Sequence, residues 1–165
     1  MILIVVVVML ISAGAYAVLP SPGKAEPQST PSTFTVNGRT FVFTYVATSS
    51  SQREAGLMNK KITNSTTMLF VFPDSSIRSF WMYDTNSSLD MIWVNASGSS
   101  GTVVYVVSGA PSCFLPMGCP VYTPTAAANY VIEAAAGFAA ANDVKVGTTV
   151  QFSWASPPAA FGLSG

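Results

Sequence analysis

The chain has 165 residues, of which 50% are hydrophobic and 8% are charged, and its seven basic and seven acidic residues give a formal net charge of zero. This balance provides no basic surface for nucleic acid, so we predict no nucleic-acid partner. The sequence contains no histidine, which excludes Ser-His-Asp and Cys-His catalysis and the commonest zinc sites. We therefore predict no metal site and no cofactor, and we disfavour an enzyme.

The first segment, Met1 to Leu19, is apolar and uncharged, and a proline follows it. A helix of this length approaches the roughly 30 Å thickness of a bilayer's hydrocarbon core. The segment predicts a signal peptide cut after Ala15 or Ala17, an uncleaved anchor, or a helix that packs against copies of itself. Membrane or like subunits are thus its expected partners. We expect the rest of the chain to lie outside the cytoplasm, either membrane-anchored, secreted or on the cell surface.

Composition divides the remaining chain into three parts. Residues 20–32 are rich in Pro and Ser and predict an extended linker, residues 33–155 predict one β-rich domain, and residues 156–165 predict a flexible tail. In an exported chain, N-x-S/T triplets are candidate glycosylation sites. The sequence has three of them, at Asn64, Asn86 and Asn95.

Within the domain the hydrophobic period is mostly two. Alternating apolar residues flank Asn37-Gly38, a pair that supplies the positive φ values of a type I′ turn, so residues 34–45 predict a β-hairpin. Ser50 and the run Arg53 to Met58 predict a short capped helix. Further strands are predicted at Met68–Phe72, Ser79–Tyr83, Met91–Asn95, Val103–Val107, Tyr130–Glu133 and Val144–Trp154. The expected fold is a mainly β (α+β), antiparallel, barrel-like or sandwich domain with one or two short helices, preceded by the apolar N-terminal helix.

Cys113 and Cys119 do not form a C-x-x-C redox motif. In an oxidising compartment two cysteines this close along the chain favour a small disulfide loop. We therefore predict a disulfide between Cys113 and Cys119.

Several short motifs occur in a characteristic order. Arg53 to Met58 reads R-x-x-G-L-M, Phe80 to Thr85 reads F-W-M-x-x-T, and Leu89-Asp90 follows; later positions include Cys113, Cys119, Tyr122, Pro124, Tyr130-Val131-Ile132-Glu133, Gly137-Phe138 and Val146-Gly147. In this order the chain resembles the uncharacterised family called domain of unknown function 192, over roughly Thr33 to Phe152. The resemblance implies a compact β-rich fold that frequently follows a signal peptide or anchor, and it implies no established reaction.

Arg53, Trp81 and Asp90 are the candidate ligand-binding residues. In a chain with so few charges, Arg53 and Asp90 are expected either to form a buried bidentate ion pair or to bind an anionic or polar ligand together. Trp81, Tyr83 and Trp93 could stack on a sugar or another flat ligand, and Trp81 and Tyr83 are expected to share a strand face, although core packing is the commoner role of such residues. Asp84, Asp90 and Glu133 could supply the two carboxylates of a glycosidase.

Three functions follow from these features. We favour a membrane-tethered extracytoplasmic binding or accessory domain whose site includes Arg53, Trp81 and Asp90. The alternative is a subunit of a cell-surface filament with the apolar N-terminal helix as its assembly core. A third hypothesis is an enzyme that acts on envelope carbohydrate.

Overall fold

The computed structural model of the chain describes residues 31–115 and 117–154. The predicted N-terminal helix, residues 1–19, the tail, residues 156–165, and most of the predicted linker lie outside the described residues. The linker prediction extended to residue 32, whereas the first strand already begins at Pro31. Pro31 and Ser32 thus belong to β1 rather than to an extended linker.

The described residues form ten strands and two short helices. Their bounds are β1 (Pro31–Val36), β2 (Arg39–Val42), β3 (Tyr45–Ala47), α1 (Ser50–Ala55), β4 (Thr67–Ser76), β5 (Phe80–Trp81), β6 (Leu89–Ser97), β7 (Ser100–Ala110), β8 (Val121–Tyr122), β9 (Ala128–Ala135), α2 (Phe138–Ala141) and β10 (Thr149–Trp154). Eight strands make one sheet in the order β2-β1-β10-β7-β6-β9-β4-β3, and β5 pairs with β8 in a separate two-stranded sheet.

The large sheet is a curled, open half-barrel. Its two edge strands, β2 and β3, are consecutive in the chain, and the residues between them bring the edges together. The Phe43 amide donates to the Ser32 carbonyl on β1, and the Thr44 amide donates to the Thr67 carbonyl on β4, both at 2.9 Å. The prediction of a mainly β domain with short helices is thus confirmed. The sheet is not wholly antiparallel, because β3 runs parallel to β4.

Each face of the sheet is covered by its own hydrophobic core. Strand residues point alternately to the two sides, so Leu69, Ile92 and Ile132 enter one core. Their neighbours Met68 and Met91 enter the other core. Because both faces of β4, β6 and β9 are covered, almost every residue in the middle of these strands is buried.

Local sequence signals predicted the first elements well. Asn37 and Gly38 have φ values of 47° and 77°, so the predicted positive-φ turn between β1 and β2 is confirmed. Helix α1 is capped by Ser49, whose hydroxyl accepts the Gln52 amide while the Gln52 side chain accepts the Ser49 amide. The helix ends at Ala55, earlier than predicted, because Gly56 takes a φ of 47° and a ψ of −133° that a residue with a side chain rarely adopts.

Two later predictions need correction. The segment predicted as one strand from Val144 to Trp154 is a strand only from Thr149 onward. Strand β8 was not predicted, and the position of the second short helix, α2, was not predicted either. Both are very short, two and four residues respectively, so neither contains enough residues to show a hydrophobic period.

Candidate functional site

A groove of about 400 Å³ lies where α1 and the middle of β4 meet β5. Pockets of about 300–1,000 Å³ are typical of small-ligand sites. We call it the arginine–aromatic groove. Its lining residues are Arg53, Glu54, Phe72, Arg78, Ser79, Phe80 and Trp81.

The side chain of Arg53 is held in this groove by uncharged partners. Its Nη1 donates to the Val71 carbonyl at 2.9 Å and to the Thr48 carbonyl, and its Nη2 donates to the Ser50 hydroxyl at 3.2 Å. The guanidinium carbon lies 5.0 Å from the centre of the Phe72 ring, a favourable cation–π distance. Among the described residues no carboxylate pairs with Arg53. Arg53 therefore lies in the groove without an ion-pair partner among these residues.

Arg78 lies against the same aromatic ring but has an acidic partner. Its guanidinium carbon is 4.1 Å from the Phe72 ring centre, its Nη2 is 2.7 Å from the Asp74 carboxylate, and its Nη1 donates to the Ala128 carbonyl at 3.0 Å. Hydrogen bonds from Ser76 and Arg78 lower the pKa of Asp74 below its usual value. Sequence reasoning missed Arg78, although its position two residues before Phe80-Trp81 was the available signal.

Trp81 provides the exposed aromatic surface at the groove. Its side chain is 44% exposed, and its ring centre lies 5.3 Å from that of Tyr83. Met82, between them, is fully buried. The prediction that Trp81 and Tyr83 share one face is therefore confirmed. Trp93, by contrast, is a core residue.

Asp90 does not form the ion pair that the scarcity of charged residues in this chain suggested. It is fully buried, and its two carboxylate oxygens accept the Gly109 and Ala139 amides, each at 2.8 Å. Gly137, the N-cap of α2, has no side chain to satisfy the first helical amides, so the distant carboxylate does this instead. The predicted pair with Arg53 is wrong. Asp90 is a structural residue outside the groove, and its hydrogen bonds join β7 to helix α2.

The carboxyl group of Glu133 is the other buried acid. Glu133 is 4% exposed, and burial raises its pKa to about 8. Its backbone lies opposite Met68 on β4 and Met91 on β6.

The three candidate glycosidase carboxylates are not brought together as one site. Asp90 lies opposite Ala134 on β9, one residue beyond Glu133, so Asp90 and Glu133 point to opposite faces of the sheet. The third acid, Asp84, has a φ of 49° in the loop before β6, and its carbonyl accepts the Asn59 amide. None of the three lines the arginine–aromatic groove.

The predicted disulfide is present. Cys113 and Cys119 are bonded, with their Cα atoms 5.6 Å apart. The loop exposes Phe114, Leu115 and Met117. Two residues beyond the loop, Val121 lies directly opposite Trp81 in the β5–β8 pair.

All three sequon asparagines, Asn64, Asn86 and Asn95, are exposed. In the described ranges, no helix is long and apolar enough to cross a membrane. Over the same ranges, histidine, cysteine and acidic side chains form no cluster of three that could hold a metal ion.

Comparison with known proteins identifies the family. The model of the uncharacterised family described as "Uncharacterized ACR", domain of unknown function 192, matches residues 32–152. The chain belongs to this family. No curated protein matches it significantly.

Solved structures share the fold. One, from Sinorhizobium meliloti, is described as a proposed transcription regulator; it is 25% identical, with a TM-score of 0.61, over 77% of this chain and 97% of that one. Another, a protein of unknown function from Novosphingobium aromaticivorans, is 27% identical, with a TM-score of 0.59, over 84% of this chain and 94% of that one.

Proposed function

We propose that this member of the family is an extracytoplasmic binding or accessory domain, tethered to a membrane through Met1–Leu19, whose arginine–aromatic groove binds an acidic oligosaccharide. One observation carries the proposal: Arg53 and Arg78 both lie against the Phe72 ring, 5.0 and 4.1 Å from its centre, beside the exposed Trp81. A guanidinium group recognises a carboxylate, and an indole stacks on the apolar face of a sugar ring.

The charges in the groove favour Arg53 as the carboxylate-binding group. Asp74 neutralises Arg78, whereas the partners of Arg53 are two carbonyls and a hydroxyl. These bonds also hold the guanidinium in one position before a ligand arrives. Binding then costs less side-chain entropy than it would with a freely rotating arginine.

Glu54 provides a second test of the proposal, because its replacement should raise the affinity rather than lower it. It is exposed and lines the groove next to Arg53, so its negative charge opposes an anionic ligand. Removal of the Glu54 charge should therefore strengthen binding, while removal of the Arg53 charge should weaken it.

The name of the Sinorhizobium meliloti relative is not carried over to this chain. A DNA-binding surface needs an excess of lysine and arginine on one face, and here seven basic residues are balanced by seven acidic ones. The filament alternative depends on Met1–Leu19, which lies outside the described residues. The enzyme alternative loses the Asp90–Glu133 pair, because the two carboxyls point to opposite faces.

The experiment measures binding of trigalacturonate, an acidic trisaccharide, to the full chain in detergent micelles by isothermal titration calorimetry. A neutral galactose trisaccharide is the control ligand. Loss of one hydrogen-bonded charge should weaken trigalacturonate binding about 10- to 100-fold for Arg53→Met. Trp81→Ala should also weaken it, and Glu54→Gln should strengthen it.

Lys145→Met is the matched control, because it removes one positive charge from an exposed side chain outside the groove. We expect it to bind as the parent does. If the parent does not bind trigalacturonate, or if Arg53→Met and Lys145→Met reduce affinity equally, the proposed groove function is wrong.

A further inference from the structure

The disulfide loop, residues 113–119, presents a small apolar surface to solvent. Phe114, Leu115 and Met117 are 58%, 73% and 92% exposed, so their side chains stand out from the domain instead of packing on it. Val121, which follows the loop, is 62% exposed. Four large apolar side chains exposed to this extent present on the order of 500 Å² of surface, and an apolar patch of this order on a monomer is often functional.

The loop is fixed to the domain at its base. The bond between Cys113 and Cys119 closes it. The Cys113 amide donates to the Met82 carbonyl at 3.2 Å, and the Cys113 carbonyl accepts the Asp84 amide at 2.9 Å. Three of the ten residues from Pro111 to Pro120 are prolines, which have no backbone N–H that needs an acceptor. Such a loop can enter an apolar medium at little cost in chain entropy or in unpaired amides.

The charges around the loop suit a membrane surface. Residues 91–132, which include the whole loop, contain no charged side chain. At the base of the loop Asp84 contacts Cys113, and the Asn59 amide donates to the Asp84 carbonyl at 2.8 Å. The segment that follows Asn59 contains two lysines, Lys60 and Lys61, against the single acid Asp84. Lysine side chains beside an apolar surface can reach lipid phosphates while their backbone stays in the domain.

The size of the apolar surface separates a second copy of the chain from a lipid bilayer as its partner. Stable protein–protein interfaces bury about 800 Å² per partner, so a surface of about 500 Å² is too small to hold two copies together. A bilayer interface accepts protruding apolar side chains without a matching shape. We propose that the disulfide loop inserts its apolar tip, Phe114, Leu115 and Met117, into the interface of a lipid bilayer. The two lysines then lie at the level of the headgroups.

This inference rests on the membrane tether of the proposed function, which brings the domain to a bilayer. Residues 20–30 join Met1–Leu19 to β1, and eleven residues span at most about 36–40 Å. A compact domain of this size is about 35 Å across. Any face of the domain can therefore reach the bilayer, and the exposed apolar tip determines which face does.

The experiment reconstitutes the full chain, labelled with ¹³C-methyl methionine, in nanodiscs of phosphatidylcholine and phosphatidylglycerol. A nitroxide on the lipid acyl chains broadens methyl signals that lie at the bilayer, and a water-soluble gadolinium chelate broadens those exposed to solvent. We expect the nitroxide to broaden the Met117 signal and the chelate to leave it sharp.

Val146 provides the matched control, because it is an apolar side chain of similar exposure at the other end of the domain. It is 63% exposed. The next residue, Gly147, donates its amide to the Val103 carbonyl near the start of β7, whereas the disulfide loop follows the end of that strand. These two places are about 20 Å apart along the strand. The methyl group introduced by Val146→Met should therefore be broadened by the chelate and not by the nitroxide.

A charge at the tip should withdraw the loop from the bilayer. Leu115→Asp should lower the nitroxide effect on the Met117 signal about tenfold, since burial of one leucine shifts an equilibrium by at least this factor. Val146→Asp should leave the effect unchanged. Both variants alter exposed side chains, so both should fold.

Met9 lies in the proposed tether and reports on it in the same spectrum, so the tether and the loop can fail separately. If the nitroxide broadens Met9 while Met117 responds only to the chelate, the loop proposal is overturned and the tether stands. If Met117 is broadened and Met9 is not, the loop binds lipid and the tether is wrong. Protection of Met117 from both reagents means that protein covers the tip, which overturns lipid docking. Equal broadening in Leu115→Asp and the parent overturns it as well.

Discussion

Replacement of Glu133 by glutamine should change the pH dependence of folding stability. Burial raises the pKa of Glu133 from 4.5 to about 8. The folded chain therefore binds a proton between these values that the unfolded chain has released, so stability must fall as pH rises through this interval. A difference of about 3.5 pH units, at 1.36 kcal/mol per unit, corresponds to about 5 kcal/mol. This stability is fully present below pH 4.5 and is lost by about pH 8.

The assay is urea unfolding of the full chain in micelles, followed by tryptophan fluorescence, at intervals from pH 5 to pH 9. The sequence has no histidine, so the residue that most often titrates in this range is absent. The parent should lose several kcal/mol of unfolding free energy, and Glu133→Gln should be nearly level and more stable than the parent at pH 9. Glu54→Gln, which changes an exposed acid, should follow the parent. A Glu133→Gln curve parallel to the parent's would refute a buried, protonated Glu133.

Three further stability predictions follow from the contacts. Asp90→Ala leaves two backbone amides without an acceptor and should lower the free energy of unfolding by roughly 2–5 kcal/mol, measured by urea unfolding. A loss below about 0.5 kcal/mol would contradict this structural role of Asp90. Gly101→Ala places a Cβ 2.5 Å from a Val94 methyl, so the folded state should lose about 1–3 kcal/mol of stability. Differential scanning fluorimetry should show a lower melting temperature, and an unchanged melting temperature would contradict the close packing. Reduction of Cys113–Cys119 opens a short loop and should cost about 2 kcal/mol, and thiol labelling of the unreduced, denatured chain should find no free thiol.

Features encoded by neighbouring residues were predictable from the sequence. The turn at Asn37-Gly38 depends on two residues that tolerate positive φ. The disulfide depends on two cysteines six positions apart. In both cases the interacting groups are close along the chain, so the local sequence is enough to predict the structure that they form.

The role of Asp90 was not predictable, because its partners are 19 and 49 residues away. Its two carboxylate oxygens accept hydrogen bonds from backbone amides. Every residue except proline has a backbone amide, so the sequence does not indicate which amides will be the partners. The expectation of an Arg53–Asp90 pair considered only side-chain charges. It therefore could not detect that carbonyls and a hydroxyl already hold the Arg53 guanidinium.

The surroundings of Glu133 were not predictable from the sequence either. Its strand was predicted, and alternation correctly separates the two faces of that strand. Which residues surround the Glu133 side chain, however, depends on the register with Met68 and Met91 in strands about 65 and 42 residues away.

The most direct test of the groove observes its own side chains during a trigalacturonate titration. The full chain in micelles has three tryptophans, and each indole N–H gives a separate ¹⁵N–¹H signal: Trp81 at the groove, Trp93 in the core and Trp154 on β10. We predict a saturable shift of the Trp81 signal, with Trp93 and Trp154 unmoved, and loss of that shift in Arg53→Met. A Trp81 signal that stays in place at saturating trigalacturonate, or one that shifts equally in Arg53→Met, would contradict the account.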